Sequence, residues 1–254
     1  MKLLKAMAIA FSIYSKIPVP QFEWKEEDME YMMCFFPWIG GVIGLFVFGW
    51  AVLCEKFAVG NVCYALIGAA IPLMISGGFH VDGYMDTMDA FHSYQSREKK
   101  LEILKDSHIG AFAAIMLALY YMIDIAAISE IHTQKAVSAL AAVFFLARCF
   151  SGIAVMTLQP AKKEGLLYTF ASSAQKVMVK AALYFQTVLC VVLMLLVSGW
   201  YGAAAIGAVL LSFFYFKKKS YKELGGITGD TAGFFVTVCE AAAAAAVAVT
   251  GYFL

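Results

Sequence analysis

Seven long apolar segments constrain the fold of this 254-residue chain more than any other feature of its sequence. A membrane-spanning helix needs about 20 predominantly apolar residues, because the hydrocarbon core of a bilayer is about 30 Å thick. A soluble domain could not bury this much apolar chain, since 62% of the residues are hydrophobic and only 15% are charged. The sequence therefore predicts an all-α, polytopic integral membrane protein that forms one domain over residues 1–254. The predicted spans are residues 35–54, 61–79, 109–129, 136–158, 181–198, 200–216 and 231–252.

The basic residues indicate how these spans are oriented in the membrane. Sixteen of the 19 Lys and Arg residues fall on one face, together with the N-terminus. Lys56 and Lys135 fall on the other face, and Arg148 lies inside a span. Because loops rich in Lys and Arg stay on the cytoplasmic side, we expect the N-terminus and three long loops to be cytoplasmic. These loops are residues 80–108, 159–180 and 217–230.

The composition also argues against several other classes of protein. The net charge is only +1 and the basic residues form no continuous stripe, so no nucleic-acid partner is expected. The six cysteines lie in or beside apolar segments without Cys-x-x-Cys spacing, which indicates small hydrophobic residues and no zinc site. Lys16, Pro18 and Pro20 follow the first apolar run where a signal peptide would have its cleavage site. That run is therefore predicted to be an interfacial helix.

The loop after the second span carries three carboxylates with helical spacing. Asp82, Asp86 and Asp89 stand at positions i, i+4 and i+7, so in a helix they share one face within an arc of about 60°. Like charges repel unless a cation lies among them, and Mg²⁺ is commonly held by carboxylates together with substrate phosphates. Gly77 and Gly78 precede this face and would let a ligand approach the backbone. A solvated acidic helix face is the alternative interpretation.

Two residues near this face have open roles. His80 lies nearly opposite the carboxylates on a helix, so both a packing or capping role and a catalytic role are considered. Asp106 stands just before the third span, where it is either a helix cap or a further metal ligand.

The last long loop repeats the Gly-Gly-x-x-x-Asp spacing that begins at Gly77. Glycine-rich backbone at a helix N-terminus offers N–H groups to phosphate. Gly226, Thr228 and Gly229 are therefore candidate substrate contacts. Asp230 can either cap the following helix or hold a metal ion, and the spacing favours neither role.

Three charged residues are predicted to lie within the membrane, where an unpaired charge is costly. Arg148 is chemically suited to bind an oxyanion, but it can also pair with Asp124 or Glu240. The same residues would suit a transporter. A transporter, however, concentrates its polar groups near the membrane midplane, whereas most carboxylates of this chain lie in loops.

Five motifs, in register over nearly the whole chain, resemble the cobalamin synthase family. Members of this family are adenosylcobinamide-GDP ribazoletransferases, which act in the late steps of the nucleotide-loop assembly of vitamin B12. The motifs are Ile17-Pro18-Val19-Pro20, residues 77–83 with Asp86 and Asp89, residues 105–111, Arg148 followed by residues 160–166, and residues 225–231 with Glu240.

The resemblance implies a reaction. The adenosylcobinamide-phosphate moiety of adenosylcobinamide-GDP would pass to α-ribazole or its 5′-phosphate, giving adenosylcobalamin or its 5′-phosphate and GMP. Arg148, Lys162 and Lys163 are candidate contacts for the leaving GMP, and the general base is an aspartate or His80. The cofactor expected on the diphosphate is Mg²⁺. Its expected ligands are Asp82, Asp86 and Asp89, supported by Asp106 and Asp230.

The resemblance also implies a prokaryotic inner-membrane location, with lipid as a partner. A homo-oligomer or a complex with other membrane-bound enzymes of the pathway is left open. The alternative functions are a transporter and another Mg²⁺-dependent membrane transferase that acts on a diphosphate. Prenyltransferases and CDP-alcohol phosphotransferases have similar aspartate motifs, but this chain lacks both a second Asp-x-x-x-Asp and an Ala-Arg after Asp82-Gly83.

Overall fold

Helices account for most of the chain, as expected in lipid, where each segment must satisfy its own backbone hydrogen bonds. The computed structural model describes residues 2–20, 23, 25–162 and 166–254. These residues form eleven α-helices, two short 3-10 helices at Glu26–Met29 and Met32–Cys34, and no strand. The α-helices are α1 (Lys2–Tyr14), α2 (Phe36–Phe57), α3 (Asn61–Ser76), α4 (Phe79–His92), α5 (Arg97–Ile103), α6 (Ala111–Ile128), α7 (Gln134–Thr157), α8 (Leu166–Ser173), α9 (Lys176–Ser198), α10 (Trp200–Leu224) and α11 (Gly229–Gly251).

Six helices in the described part of the chain are long and apolar enough to cross a membrane, namely α2, α6, α7, α9, α10 and α11. Helices α3 and α4 pass the same test only together, as a bent pair, so the described residues contain six spans, or seven if this pair forms one span. Each predicted span coincides with one of these helices. The prediction of an all-α, polytopic membrane protein is therefore confirmed.

Helices α7 and α11 form the centre of the bundle. They bury 78% and 72% of the residues in their apolar stretches, against 22–39% in the other four long helices, whose outer faces are left for lipid. Small residues allow close packing around this centre, as predicted. A Cβ added to Gly40 would lie 2.0 Å from the carbonyl oxygen of Phe144, so the backbones of α2 and α7 touch.

An ion pair joins the two central helices. Nη1 of Arg148 on α7 donates hydrogen bonds to Oε1 of Glu240 on α11 at 2.6 Å and to the carbonyl oxygen of Phe144 at 2.8 Å. The Arg148 and Glu240 side chains are only 1% and 9% exposed. Asp124 and Glu240 were the two predicted partners of Arg148, and the hydrogen bond is to Glu240.

Two glycines make the sharp bend between α3 and α4. Gly77 has φ +67° and Gly78 has φ +83°, a region that glycine enters without the strain of a side chain. The two helices are bent by 96°. Helix α4, in the loop predicted to lie outside the membrane, therefore turns away from α3 and crosses the first turns of α6 and α11.

The loops predicted for the cytoplasmic face contact one another at one end of the bundle. Lys100 of α5 forms an ion pair with Glu223 near the end of α10. Nζ of Lys162, in the loop after α7, donates to the carbonyl oxygen of Leu101 at 2.7 Å. Three segments far apart in sequence thus meet on the face to which the charge pattern assigns them.

The loops predicted for the opposite face meet at the other end. Nδ2 of Asn61 donates to the carbonyl oxygen of Ser129 at 3.1 Å, and the hydroxyl of Tyr252 donates to Glu130 at 2.9 Å. The structure therefore groups the loops as the charge pattern does. Which end faces the cytoplasm stays a prediction from that pattern.

Candidate active site

Helix α4 carries the three carboxylates predicted for one helix face. Asp82 is exposed, while Asp86 and Asp89 are half-buried. Partial burial, together with the negative charges of Asp82, Asp230 and Asp89, raises the pKa of Asp86 to about 7. Charging all these groups at once is unfavourable, so a cation placed among them would be stabilising.

Asp230 joins these carboxylates from a different helix. Helix α4 crosses the first turn of α11 at Gly83, where an added Cβ would lie 2.8 Å from the carbonyl oxygen of Asp230. A Cβ added to Gly233 would lie 3.0 Å from the carbonyl oxygen of His80. The two backbones touch at this crossing, and the negative charge of Asp82 acts on Asp230.

Thr228, and not Asp230, caps α11. Oγ1 of Thr228 accepts from the N–H of Thr231 at 3.1 Å, and the Thr228 N–H donates to Oγ1 of Thr231 at 2.8 Å. The Thr228 hydroxyl lies 3.4 Å from Oδ2 of Asp230. The Thr228 N–H, a predicted phosphate contact, thus already donates to Thr231. The capping role considered for Asp230 is performed by Thr228.

Asp89 binds the start of α6. Its Oδ2 accepts from the N–H of Gly110 at 2.7 Å, and its Oδ1 accepts from the N–H of Ala113 at 2.9 Å. These are backbone groups that the first turn of a helix leaves without partners. Asp89 therefore fastens α4 to α6, a role that the sequence pattern did not reveal because the two segments are distant along the chain.

Asp106 lies in the loop before α6, with its side chain 56% exposed. It accepts from the N–H of His108 at 3.0 Å and contacts Nδ1 of the same residue at 2.6 Å. These contacts lower the pKa of Asp106. The cap that Asp106 was a candidate to supply comes from Asp89, while its predicted role as a metal ligand stays a prediction.

Within the described residues, no three His, Cys, Asp or Glu side chains are arranged to hold a metal ion unaided. Mg²⁺ does not require such a site, because one or two carboxylates commonly bind it together with waters and substrate phosphates. Asp82 and Asp86 are one helical turn apart, and Asp230 approaches from α11. These oxygen donors fit a cation that is shared with a phosphorylated substrate.

A cavity of about 530 Å³, here called the site cavity, opens beside these carboxylates. One part of its lining is accessible and polar, and another part is buried and largely apolar. The polar part comprises Asp82, Lys105, Lys162, Thr228, Gly229 and Asp230. The buried part comprises Tyr14, Met33, Phe36, His80, Ser151, Val155, Leu167 and Phe170.

The loop after α7 reaches the site cavity because it pairs with the loop before α11. The N–H of Ala161 donates to the carbonyl oxygen of Ile227 at 2.8 Å. The N–H of Ile227 donates to the carbonyl oxygen of Gln159 at 3.0 Å. Gly226 is buried in this contact, where an added Cβ would lie 2.6 Å from the Gln159 carbonyl oxygen. Gly226 thus holds the two loops together, and Lys162 lines the cavity.

Three other predicted substrate contacts lie elsewhere. Gly77 and Gly78 line a second cavity, also about 530 Å³, which shares Phe79 and Asp82 with the first. Arg148 lies inside the bundle, where it forms an ion pair with Glu240. It is absent from the lining of both cavities. The geometry thus gives Arg148 the pairing role that was its alternative.

Lys163, the last predicted substrate contact, lies outside the described residues. Lys105 was not among the predicted contacts, yet it lines the site cavity together with Lys162. Its position immediately before Asp106, within a motif that the sequence already singled out, was the signal that could have identified it.

The fold and the site define a polytopic α-helical membrane enzyme with an acidic cavity at one end of its bundle. The chain belongs to the cobalamin-5-phosphate synthase family, whose model matches residues 6–248. The resemblance found in the sequence is thereby confirmed.

Named relatives match the chain over nearly its full length. It is 43% identical to an adenosylcobinamide-GDP ribazoletransferase of Lachnoclostridium phytofermentans, over 98% of this chain and 95% of that protein. It is 34% identical to a protein of the same name from Clostridium botulinum strain Eklund 17B, over 94% of each chain. No solved structure matches the chain.

Proposed function

We propose that this protein is an adenosylcobinamide-GDP ribazoletransferase that completes the nucleotide loop of cobalamin. The family and the names of the relatives support this activity. The structural observation that carries it is the crossing of α4 and α11, which gathers Asp82, Asp86 and Asp230 beside a cavity that Lys162 also lines.

The proposed reaction is a displacement at phosphorus. A ribose hydroxyl oxygen of α-ribazole, or of its 5′-phosphate, forms a bond to the corrinoid-linked phosphorus of adenosylcobinamide-GDP. The bond from that phosphorus to the bridging oxygen of the diphosphate breaks, and GMP leaves with the electron pair. The hydroxyl proton passes to an aspartate of the site, and Asp82 and Asp230 line the cavity.

Reactions of this kind depend on positioning and on stabilising the charge of the phosphoryl oxygens. Lys162 and Lys105 bring positive charge to the cavity beside the carboxylates. The exposed Gly229 at the start of α11 adds the positive end of a helix dipole. These groups would orient the diphosphate and favour departure of the negatively charged GMP.

Mg²⁺ would be held by Asp82, Asp86 and Asp230. When bound, it neutralises phosphoryl oxygens and lowers the repulsion between them and the attacking hydroxyl. Asp89 would contribute by holding α4 against α6. Asp106 stays a predicted metal ligand that would complete or support this site.

We further propose that the site cavity faces the cytoplasm from the inner membrane. Sixteen of the 19 basic residues fall in the N-terminal segment and the three long loops predicted for one face, which favours the cytoplasmic side for that face. Nucleotide substrates would then reach the site without crossing the membrane.

The test is conversion of adenosylcobinamide-GDP and α-ribazole to adenosylcobalamin by membranes that contain this protein. We expect product and GMP with Mg²⁺ and neither with EDTA, and restored turnover when Mg²⁺ is added back in excess. Membranes from the same host without the protein are the control. Absence of product from well-folded protein with any divalent cation would overturn the proposal.

A further inference from the structure

The buried part of the site cavity contains a histidine without a hydrogen-bond partner. His80 is 5% exposed, and neither Nδ1 nor Nε2 has a partner among the described residues. Its ring lies parallel to that of Tyr14, with 6.1 Å between centroids, and 5.7 Å from the ring of Phe36. Leaving a buried polar group unbonded costs free energy. A ligand atom that bonded to His80 would remove this cost.

The surroundings of His80 favour a flat aromatic ligand. Tyr14 also contacts Phe36 and Phe170, with centroid distances of 4.5 Å and 6.2 Å, so three aromatic rings border this part of the cavity. Aromatic side chains bind planar rings through stacked and edge-to-face contacts. A cavity of about 530 Å³ encloses a ligand of nucleoside size, since pockets of about 300–1,000 Å³ take drug-sized molecules. The far larger corrinoid would remain outside.

Three planar bases enter the proposed reaction: the adenine and the guanine of adenosylcobinamide-GDP and the benzimidazole of the ribazole. Adenine and guanine each carry several donors and acceptors on their edges, which would need partners when buried. Among the described residues, the polar side-chain groups of the buried lining are the His80 ring nitrogens and the hydroxyls of Tyr14 and Ser151. Benzimidazole bonded to ribose has one remaining ring nitrogen, which is an acceptor, and therefore matches this lining.

The hydrogen-bonding groups of His80 fit the same base, because both ring nitrogens are buried and have no partner among the described residues. A neutral imidazole has one N–H donor and one acceptor nitrogen. Its N–H can therefore donate to an acceptor nitrogen of the ligand.

We propose that the buried aromatic part of the site cavity binds the benzimidazole base of the ribazole substrate, with His80 donating a hydrogen bond to the free ring nitrogen of the base. The inference rests on the proposed function and gives His80 a role in substrate recognition. The ribose would then extend toward the polar part of the cavity, where Asp82 and Asp230 lie.

The experiment measures KM separately for the two substrates in membranes that contain the full-length chain. We expect His80→Phe, which keeps an aromatic ring but no N–H, to raise KM for α-ribazole about tenfold, as for one lost buried hydrogen bond. KM for adenosylcobinamide-GDP should be unchanged. His80→Gln keeps an N–H donor and should recover part of the loss.

A second measurement replaces the substrate instead of the protein. The α-ribosyl derivative of 5,6-dimethylindole has a carbon in place of the free ring nitrogen. We expect the unsubstituted protein to have about a tenfold higher KM for this analogue than for α-ribazole. The His80→Phe protein should not distinguish the two, because its hydrogen bond is already lost.

Equal KM values for the two nucleosides with the unsubstituted protein would overturn the inference, even if every variant failed to fold. A rise in KM for adenosylcobinamide-GDP alone would assign the subsite to guanine and would also overturn it. Both outcomes require turnover and leave the proposed function standing. Failure of the unsubstituted protein to form any product would instead contradict the proposed function itself.

Discussion

The aspartates of the site differ in what their oxygens already bind. Both oxygens of Asp89 accept backbone N–H groups of α6, whereas Asp82 is exposed in the lining of the site cavity. Partial burial of Asp86, together with the negative charge of the neighbouring aspartates, raises its pKa to about 7. A common position on one helix face therefore does not imply a common role.

We predict that Asp82→Asn and Asp86→Asn each lower turnover by about 100-fold or more, because each removes a charge that would hold the cation against the phosphates. The measurement is product formation across a Mg²⁺ titration, with membrane protein quantified in parallel. Glu102→Gln is the matched control, since Glu102 is exposed on α5 and pairs with Lys99. Full activity in either aspartate variant would refute the assignment of that residue.

Asp89→Ala should act through stability. The substitution removes both bonds to the start of α6, and loss of a helix cap costs about 0.5–2 kcal/mol. We expect a lower unfolding temperature in detergent but a half-saturating Mg²⁺ concentration close to that of the unsubstituted protein. A shift of that concentration as large as in Asp82→Asn would show that Asp89 binds the cation.

At the level of the helices, the crossing of α4 and α11 depends on Gly83. In Gly83→Ala the new Cβ would lie 2.8 Å from the carbonyl oxygen of Asp230, so the helices must move apart. Overpacking of this kind costs about 1–3 kcal/mol, and the movement would separate Asp82 from Asp230. We expect loss of both thermal stability and turnover.

Gly207→Ala is the control for that variant. A Cβ added to Gly207 in the middle of α10 meets no atom within 4 Å, and alanine favours a helix by about 1 kcal/mol over glycine. Its stability and turnover should equal or exceed those of the unsubstituted protein. Unchanged turnover in Gly83→Ala would mean that the site tolerates separation of the two helices.

The ion pair between α7 and α11 gives a prediction that separates structure from substrate binding. Arg148→Met leaves Glu240 buried without its partner, which costs about 3–5 kcal/mol. The double variant Arg148→Met with Glu240→Leu should recover much of that stability, measured by thermal unfolding in detergent. If Arg148 has only this pairing role, the double variant keeps the KM of the unsubstituted protein for adenosylcobinamide-GDP. A raised KM would instead support the prediction that Arg148 contacts the leaving GMP.

The spans and the acidic helix face could be predicted because they depend on local pattern. The length of an apolar run and the spacing of Asp82, Asp86 and Asp89 are properties of a single helix. The cap from Asp89 and the meeting of Asp82 with Asp230 depend on how separate helices cross. The spacing of residues along the sequence does not show how two distant helices cross. For the same reason, the burial of His80 among aromatic rings could not be predicted.

For the whole molecule, the topology unites the site. The acidic helix face, the Lys162 loop and the start of α11 are far apart in sequence, yet they lie at the same end of the bundle because an even number of spans separates them. Lys100 and Glu223 also pair at that end. An error of one span would have placed some of these groups on opposite sides of the membrane.

The orientation of this end can be measured with single cysteines. Cys63 is exposed, while the other five cysteines are buried or half-buried, so Cys63→Ser provides the background. Glu98→Cys on α5 and Lys135→Cys at the start of α7 then introduce exposed thiols at opposite ends of the bundle.

We expect a membrane-impermeant maleimide to label Lys135→Cys in right-side-out vesicles and Glu98→Cys only in inverted vesicles, because basic loops stay cytoplasmic. Labelling of both positions from one side would contradict the number of spans between them. Labelling in the reverse order would keep the fold and the site but turn the cavity outward. The nucleotide substrates would then have to come from outside the cytoplasm. This single measurement therefore decides which compartment supplies the nucleotide substrates.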